Sequence, residues 1–307
     1  INDQMIQFDY NFAKVKGNIY SNQRNHQAEL VLSKENKKAK IDGKDILKIS
    51  EYVGYLNVVV FVPDDLSLVK GSPSTRRKFI DLELSKISPI YAFYLAKYNR
   101  LLKERNQYLK LLSKKNGKYD DYLETIDEQM VDVQLKVIEK RENFIERLSK
   151  NVKDIYKSIA DNEEYVDLHY LCFIKKKDKE ELLKLYKKEF SRDLKYLSTT
   201  HGIHKEDMKI MIDRKSAHQY ASQGQQRTIV LSIKIALLEL IKEEIGEYPI
   251  LLLDDVLSEL DDQRKTKLLD ILNNRIQTFI TTTSIDGIEH HVIKEAKKIN
   301  INRKEEQ

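Results

Sequence analysis

Residues 222–227 read SQGQQR and open an apolar helix; past Pro249 comes Leu251, Leu252, Leu253, Asp254 and Asp255. The two stretches decide how the chain is read. Backbone amides at a helix N-terminus, aligned with the helix dipole, form an anion site, and Gly224 permits close approach of a phosphate. The Ser222 hydroxyl and the Gln223 and Gln225 side chains add donors, and Arg227 adds charge. Alone, the hexapeptide reads equally as a capped helix with glycine in its first turn. The second stretch shifts that balance. An apolar strand ending in two adjacent carboxylates is costly unless something there wants negative charge, and a Mg²⁺ bound to a nucleotide does. Asp254 is placed to hold the metal through water, and Asp255 to orient an attacking water. No segment matches GxxxxGK followed by Ser or Thr, the phosphate-cradling loop.

The 307 residues suffice for two domains with their own cores. Net charge is +5, a small difference between 54 basic and 49 acidic residues, so nucleic-acid contact must come from local patches. The single cysteine, Cys172, excludes an internal disulfide framework and fits a reducing cytoplasm. No apolar run approaches the length of a membrane span, and the first residues lack the pattern of a signal peptide. The chain begins at Ile1, and residues 1–10 read as a continuation, so a fragment or processed product is expected.

Short alternating segments at 13–20, 28–32 and 38–41 predict a small antiparallel sheet, with Asp42 and Gly43 as a turn. Residues 57–61 read as a buried strand stopped by Pro63. Ser72 and Pro73 start a helix. A second helix follows Pro89 and ends at Gly117, and a third runs from about 119 to 159. These two long antiparallel helices form an arm without a strict heptad repeat. Strands are expected at 165–173 and 208–212, with a helix at 178–190 between them. An α/β pattern then returns: helix from 222, strand 250–254, helix from 261, strand 278–282. Asp261 both starts a helix and could reach across to a second subunit, and the hydroxyls of Thr281, Thr282, Thr283 and Ser284 stand where they could sense a phosphate.

In this order the motifs resemble the RecF family of bacterial recombination-repair ATPases, which are related to the SMC proteins. SQGQQR matches the signature, LLLDDV (251–256) the Walker B strand, SELD (258–261) the D-loop and TFITTTS (278–284) the switch. Residues 56–84 and 98–106 add to the likeness, which runs from about Phe8 to Ile301. The resemblance implies an α/β (α+β) fold, an ABC-type ATPase head incomplete at its N-terminus, divided as 1–71, an inserted helical arm at 72–162, and 163–307. It implies ATP and Mg²⁺ in the intact protein, and a two-fold, ATP-dependent homodimer in which the signature of one subunit caps the nucleotide on the other. Ser222, Gln223, Gly224, Gln225, Gln226, Arg227 and Asp261 then touch nucleotide, Asp254 the metal, and Asp255 and Thr283 carry catalysis.

The resemblance further implies gapped DNA with single-strand and duplex junctions, RecR and RecO as partners, assistance to RecA loading, and a cytoplasmic, nucleoid-associated place with no membrane. Arg76, Arg77 and Lys78, with Lys103 and Arg105 on the arm, are the candidate DNA face. The basic run Lys175, Lys176, Lys177 and Lys179 interleaves with acids and reads as a solvated loop. Three departures stand out. Threonine occupies the switch where many cassette ATPases have histidine, Asp255 stands where many have glutamate, implying slow hydrolysis, and residues 202–207 (GIHKED) match the family loosely. Without a phosphate loop, this chain alone is expected neither to bind ATP tightly nor to hydrolyse it. Two rival readings are an SMC-like or double-strand-break-repair head, which the short arm disfavours, and a non-catalytic helical interaction module.

Overall fold

The computed structural model describes residues 2–21, 23–46, 55–160, 163–272, 275–283 and 291–301. The chain opens with strands β1 (Phe12–Ser21), β2 (Arg24–Ser33), β3 (Lys37–Ile41), β4 (Lys44–Ile46) and β5 (Val58–Phe61). Helices α1 (Ser67–Lys70), α2 (Pro73–Ile87), α3 (Pro89–Lys114) and α4 (Asp121–Ala160) follow. Next come β6 (Val166–Leu171), α5 (Lys179–Tyr196), β7 (Asp207–Ile212), β8 (Lys215–Ser216) and α6 (Ala217–Tyr220). The last elements are α7 (Gln223–Ile245), β9 (Ile250–Asp254), α8 (Asp262–Leu272), β10 (Thr278–Thr281) and α9 (His291–Glu295).

Strands β1 to β4 form an antiparallel meander in sequence order. Ile41 pairs with Lys44 across Asp42 and Gly43, both at positive φ, the two-residue hairpin that Asp-Gly favours. Strands β1 and β2 outrun the alternating pattern because each is paired over all ten residues.

The three valines of β5 build one edge of a parallel sheet ordered β10-β9-β5. Val59, Phe61, Leu251 and Leu253 point to one face and are at most 4% exposed, the pattern of a strand that a helix covers. Helix α7 contributes to that cover. Every residue from 228 to 238 is buried, so the middle of this helix has no solvent face and lies at the centre of the molecule. Its one buried cation is paired: Lys234 donates to the Val60 carbonyl and to Asp65, each at 2.8 Å.

Ser88 caps α3, its hydroxyl accepting from the Tyr91 N–H at 3.4 Å, with Pro89 at the first helical position. The stripe of α4, from Ile126 through Met130, Val137, Phe144 and Leu148 to Ile159, is buried, and it packs against α3 and α7. One apolar cluster therefore runs from the parallel sheet through α7 into the arm. A second cluster at the arm's tip joins Leu109, Leu112 and Leu123 to Phe190 and Leu194 of α5. The arm is thus a three-helix assembly that draws α5 from beyond residue 162. Among the described residues no helix is long and apolar enough to cross a membrane.

Candidate functional site

Ser222 is the N-cap of α7, in extended conformation with φ −61° and ψ 165°. Its hydroxyl accepts from the Gln225 N–H at 3.2 Å, and the Gln225 side-chain oxygen accepts from the Ser222 N–H at 2.7 Å. This reciprocal capping box satisfies two orphan donors of the helix start. Ser222 and Gln223 are exposed, and Gly224, Gln225 and Arg227 half-buried. Gln226 turns inward: it is 6% exposed and donates to the Ala221 carbonyl at 2.6 Å. Its side-chain nitrogen thus braces the turn from below, unlike the exposed Ser222 and Gln223 side chains of the same motif.

The amide of Gln225 is held on both sides, since its nitrogen donates to Glu164 at 2.7 Å. The other Glu164 oxygen accepts from the buried Tyr156 hydroxyl at 2.9 Å. Burial raises the Tyr156 pKa well above its ordinary value, so that hydroxyl stays a donor. From the opposite side comes Arg264 of α8: a Cβ on Gly224 would lie 3.3 Å from its Nη1. Glycine keeps the turn and the guanidinium in close approach. Asp261 caps α8 by accepting the Arg264 N–H at 2.9 Å and pairs with the Arg264 guanidinium at 3.3 Å. Signature turn and D-loop therefore meet within one chain.

Asp254 ends β9 and is exposed, and its Oδ1 accepts from the Thr281 hydroxyl at 2.5 Å. Asp255 has a left-handed backbone, φ 53°, a conformation Asp tolerates and functional sites often use. Its N–H donates to the Thr281 carbonyl at 3.2 Å, and the Ser258 hydroxyl donates to its Oδ1 at 2.7 Å. The parallel register that sets Thr281 beside Asp254 fixes this arrangement. The Thr281 hydroxyl reaches the Asp254 carboxylate, whereas Thr283 is exposed beyond the end of β10. Ser284 lies outside the described residues. Among the described residues no three His, Cys, Asp or Glu side chains converge to hold a metal.

The five candidate DNA contacts divide. Lys78 and Lys103 are exposed, while Arg77 is half-buried and donates to the Glu206 carbonyl at 2.6 Å. Arg76 is bidentate to Asp207 at 2.7 and 2.9 Å and also donates to the Gly71 carbonyl. Arg105 is fully buried, with Asp127 and Asp193 each at 2.5 Å and Thr199 at 2.9 Å. Burial pulls its pKa down, but the two carboxylates outweigh that and hold it charged. Arg105 has no exposed surface to offer a DNA phosphate, and Arg76 is engaged by Asp207; both are struts with a partner far along the chain.

A central parallel strand ending in carboxylates, a hydroxyl-bearing strand beside it, and a buried helix opening on a signature turn define the head fold of an ABC-type ATPase. The chain is 42% identical over 309 residues to the DNA replication and repair protein RecF of Staphylococcus carnosus (strain TM300), covering 98% of this chain and 84% of that protein. It belongs to the RecF family. The RecF protein of Geobacillus sp. (strain WCH70) is also 42% identical, over 95% of this chain and 80% of its own length. Among solved structures, the recombination mediator protein RecF with ATP, of the RecFOR pathway, superposes with a TM-score of 0.83 at 34% identity, covering 92% of this chain and 78% of that one. The ATPrS form gives 0.82 at 34% identity, covering 93% and 79%. No family model matches the chain.

Proposed function

We propose that this chain acts as a DNA-repair ATPase head that works in pairs, its signature turn closing over a nucleotide seated on a second subunit. One observation carries the reading. Ser222 and Gln223 stand exposed at the start of a helix whose body is buried, so the first amides of α7 face outward from a rigid base, ready for an anion. The likeness to RecF solved with ATP supports that anion being a nucleotide phosphate.

Bound ATP with Mg²⁺ supplies the phosphoryl group and the cationic charge. Ser222, Gln223, the Gly224 amide, Gln225 and Arg227 would hold the γ-phosphate, with Gln226 bracing them and Asp261 reaching toward the facing subunit. Asp254 would hold Mg²⁺ through water, steadied by Thr281. Asp255 would orient the attacking water, a weaker arrangement than a longer glutamate would give, and Thr283 stands at the phosphate side of the switch. The described carboxylates and signature turn fit this half of the site. The chain's sequence contains no GxxxxGK[ST] segment to supply the amide nest and lysine for the β-phosphate, so this chain alone does not turn over ATP.

Arg77, Lys78 and Lys103 are the cations proposed to meet DNA at single-strand and duplex junctions, with RecR, RecO and RecA as partners in the cytoplasm and nucleoid; of this, the relatives named in the RecFOR pathway support the RecR and RecO partnership. The test is association with a RecF relative that carries the phosphate loop. The chain should join it in the presence of ATP, and Ser222→Arg should abolish that. Equal association without nucleotide, or by the Arg variant, would overturn the reading.

A further inference from the structure

Between α2 and α3 lies a cleft of about 490 Å³, within the size range of small-ligand sites. Its apolar surface comes from Leu82 and Leu95, above the fully buried Ile203, and Leu82 is 53% exposed. Ser85 and Asn99 line it with a hydroxyl and an amide that have no hydrogen-bond partner among the described residues, and neither Arg77 nor Lys78 on its wall is paired with a carboxylate there. Unpartnered polar groups over an apolar floor, with two cations beside them, are complementary to a ligand with a flat ring, exocyclic polar groups and a negative charge.

The wall's carboxylate does not cancel that charge. Asp81 accepts from Arg141 at 2.7 Å and from the Tyr91 hydroxyl at 2.5 Å, so it is already neutralised. At the base, His204 Nε2 lies 3.0 Å from the Thr199 carbonyl and must donate to it, leaving Nδ1 to accept from the Tyr98 hydroxyl at 2.8 Å. The imidazole is therefore neutral. Burial above all, with Lys205 and Arg77 adding to it, holds its pKa down to about 4, as expected where the local potential is positive. Gly202 makes this base possible: at φ 139°, a Cβ there would lie 2.4 Å from the Tyr98 hydroxyl.

We infer that this cleft is a nucleotide-unit site, in which an unstacked base of a DNA single strand lies against Leu82 and Leu95 within reach of Ser85 and Asn99, while the adjoining phosphodiester meets Arg77 and Lys78. The inference rests on the DNA-binding reading above. The same chemistry would accept a free nucleotide, and the experiment separates the two.

The purified chain is titrated into a labelled oligothymidylate at two salt concentrations, alongside Lys78→Ala, Asn99→Ala and, as a control outside the cleft on the same helix, Lys110→Ala. Lys78, Asn99 and Lys110 are exposed, so the variants should fold. Lys78→Ala and Asn99→Ala together should weaken binding roughly tenfold or more, and Lys78→Ala should make the salt slope shallower by about one. Lys110→Ala should change neither. A strand carrying 4-thiothymidine should cross-link to peptides containing Leu82, Leu95 or Asn99. Competition by dTMP but not by inorganic phosphate supports recognition of base and phosphate together, and dTMP binding with no binding of the strand assigns the cleft to free nucleotides and overturns the DNA inference. Unchanged affinity in both cleft variants, or cross-links confined to other peptides, overturns the cleft while leaving the DNA reading standing. Absence of all nucleotide and strand binding by the wild type overturns both.

Discussion

The Gln225 side chain is clamped to Glu164, its nitrogen donating at 2.7 Å while its oxygen accepts from the Ser222 N–H. Glu164 follows the end of α4 and takes a second bond from Tyr156 within that helix. The signature turn is thus tied by one carboxylate to the base of the arm. Glu164→Ala should remove both bonds and cost about 1–3 kcal/mol, because the buried Tyr156 hydroxyl loses its acceptor, whereas Glu164→Gln retains an acceptor and should cost less. Hydrogen exchange at the Gln225 and Gln226 amides reports the turn directly. Equal protection in the wild type and the Ala variant would remove Glu164 from this role.

Arg105 joins α3 to α4 through Asp127 and to α5 through Asp193, with the Tyr186 ring 4.9 Å from its guanidinium. Breaking a buried ion group by removing one partner strands the others. Arg105→Ala should therefore destabilise by about 3–5 kcal/mol in urea denaturation. Arg105→Met with Asp127→Leu should recover part of that loss, and failure of the pair to recover any would argue against the ionic account.

His204 gives the fold a defined acid sensitivity. Its folded pKa is depressed to about 4 from 6.5, so the unfolded chain takes up a proton first as pH falls. The associated stability is full above pH 6.5 and is lost progressively down to pH 4, amounting to about 3 kcal/mol. Relative to His204→Gln, the wild type should lose that much between neutral pH and about pH 4. Parallel stability curves for the two proteins would show that another group is responsible.

At the switch, Thr281 and Thr283 should separate cleanly. Thr281→Val deletes the 2.5 Å donor to Asp254 and the hydroxyl that accepts the Asp255 N–H, for an expected loss of about 1–2 kcal/mol in thermal unfolding. Thr283→Val removes a hydroxyl exposed beyond β10 and should change stability by less than about 0.5 kcal/mol. The reverse order would place the switch two residues further on.

Much of the architecture was legible because the cues are local. Ser72 with Pro73, and Ser88 with Pro89, marked helix starts that the structure has at Pro73 and Pro89. The apolar run of residues 57–61 and the strand ending in Asp254 became neighbouring parallel strands. What could not be read is which partner a charged side chain finds. Arg76 and Arg105 look like solvated helix cations until Asp207 and Asp193 fold onto them. Gln226 sits in a motif of phosphate-facing residues, yet helical rotation turns it inward. Thr281 and Thr283 share a run of hydroxyls, and only the β9–β10 register tells them apart. Glu164 carries no motif at all.

Phe61 pairs with Leu253 in the parallel sheet, although the arm and the three strands β6, β7 and β8 are synthesised between them. On the ribosome, β5 must therefore stay without its sheet partner until nearly the whole chain has emerged, and contacts so distant in sequence form late. The helices of the arm, built largely from near-neighbour contacts, can assemble first and present α7 with a surface to dock on. Completion of the parallel sheet then becomes a late event of folding, so a ribosome-stalled chain ending before Ile250 would have an arm but neither β9 nor the two aspartates at its end.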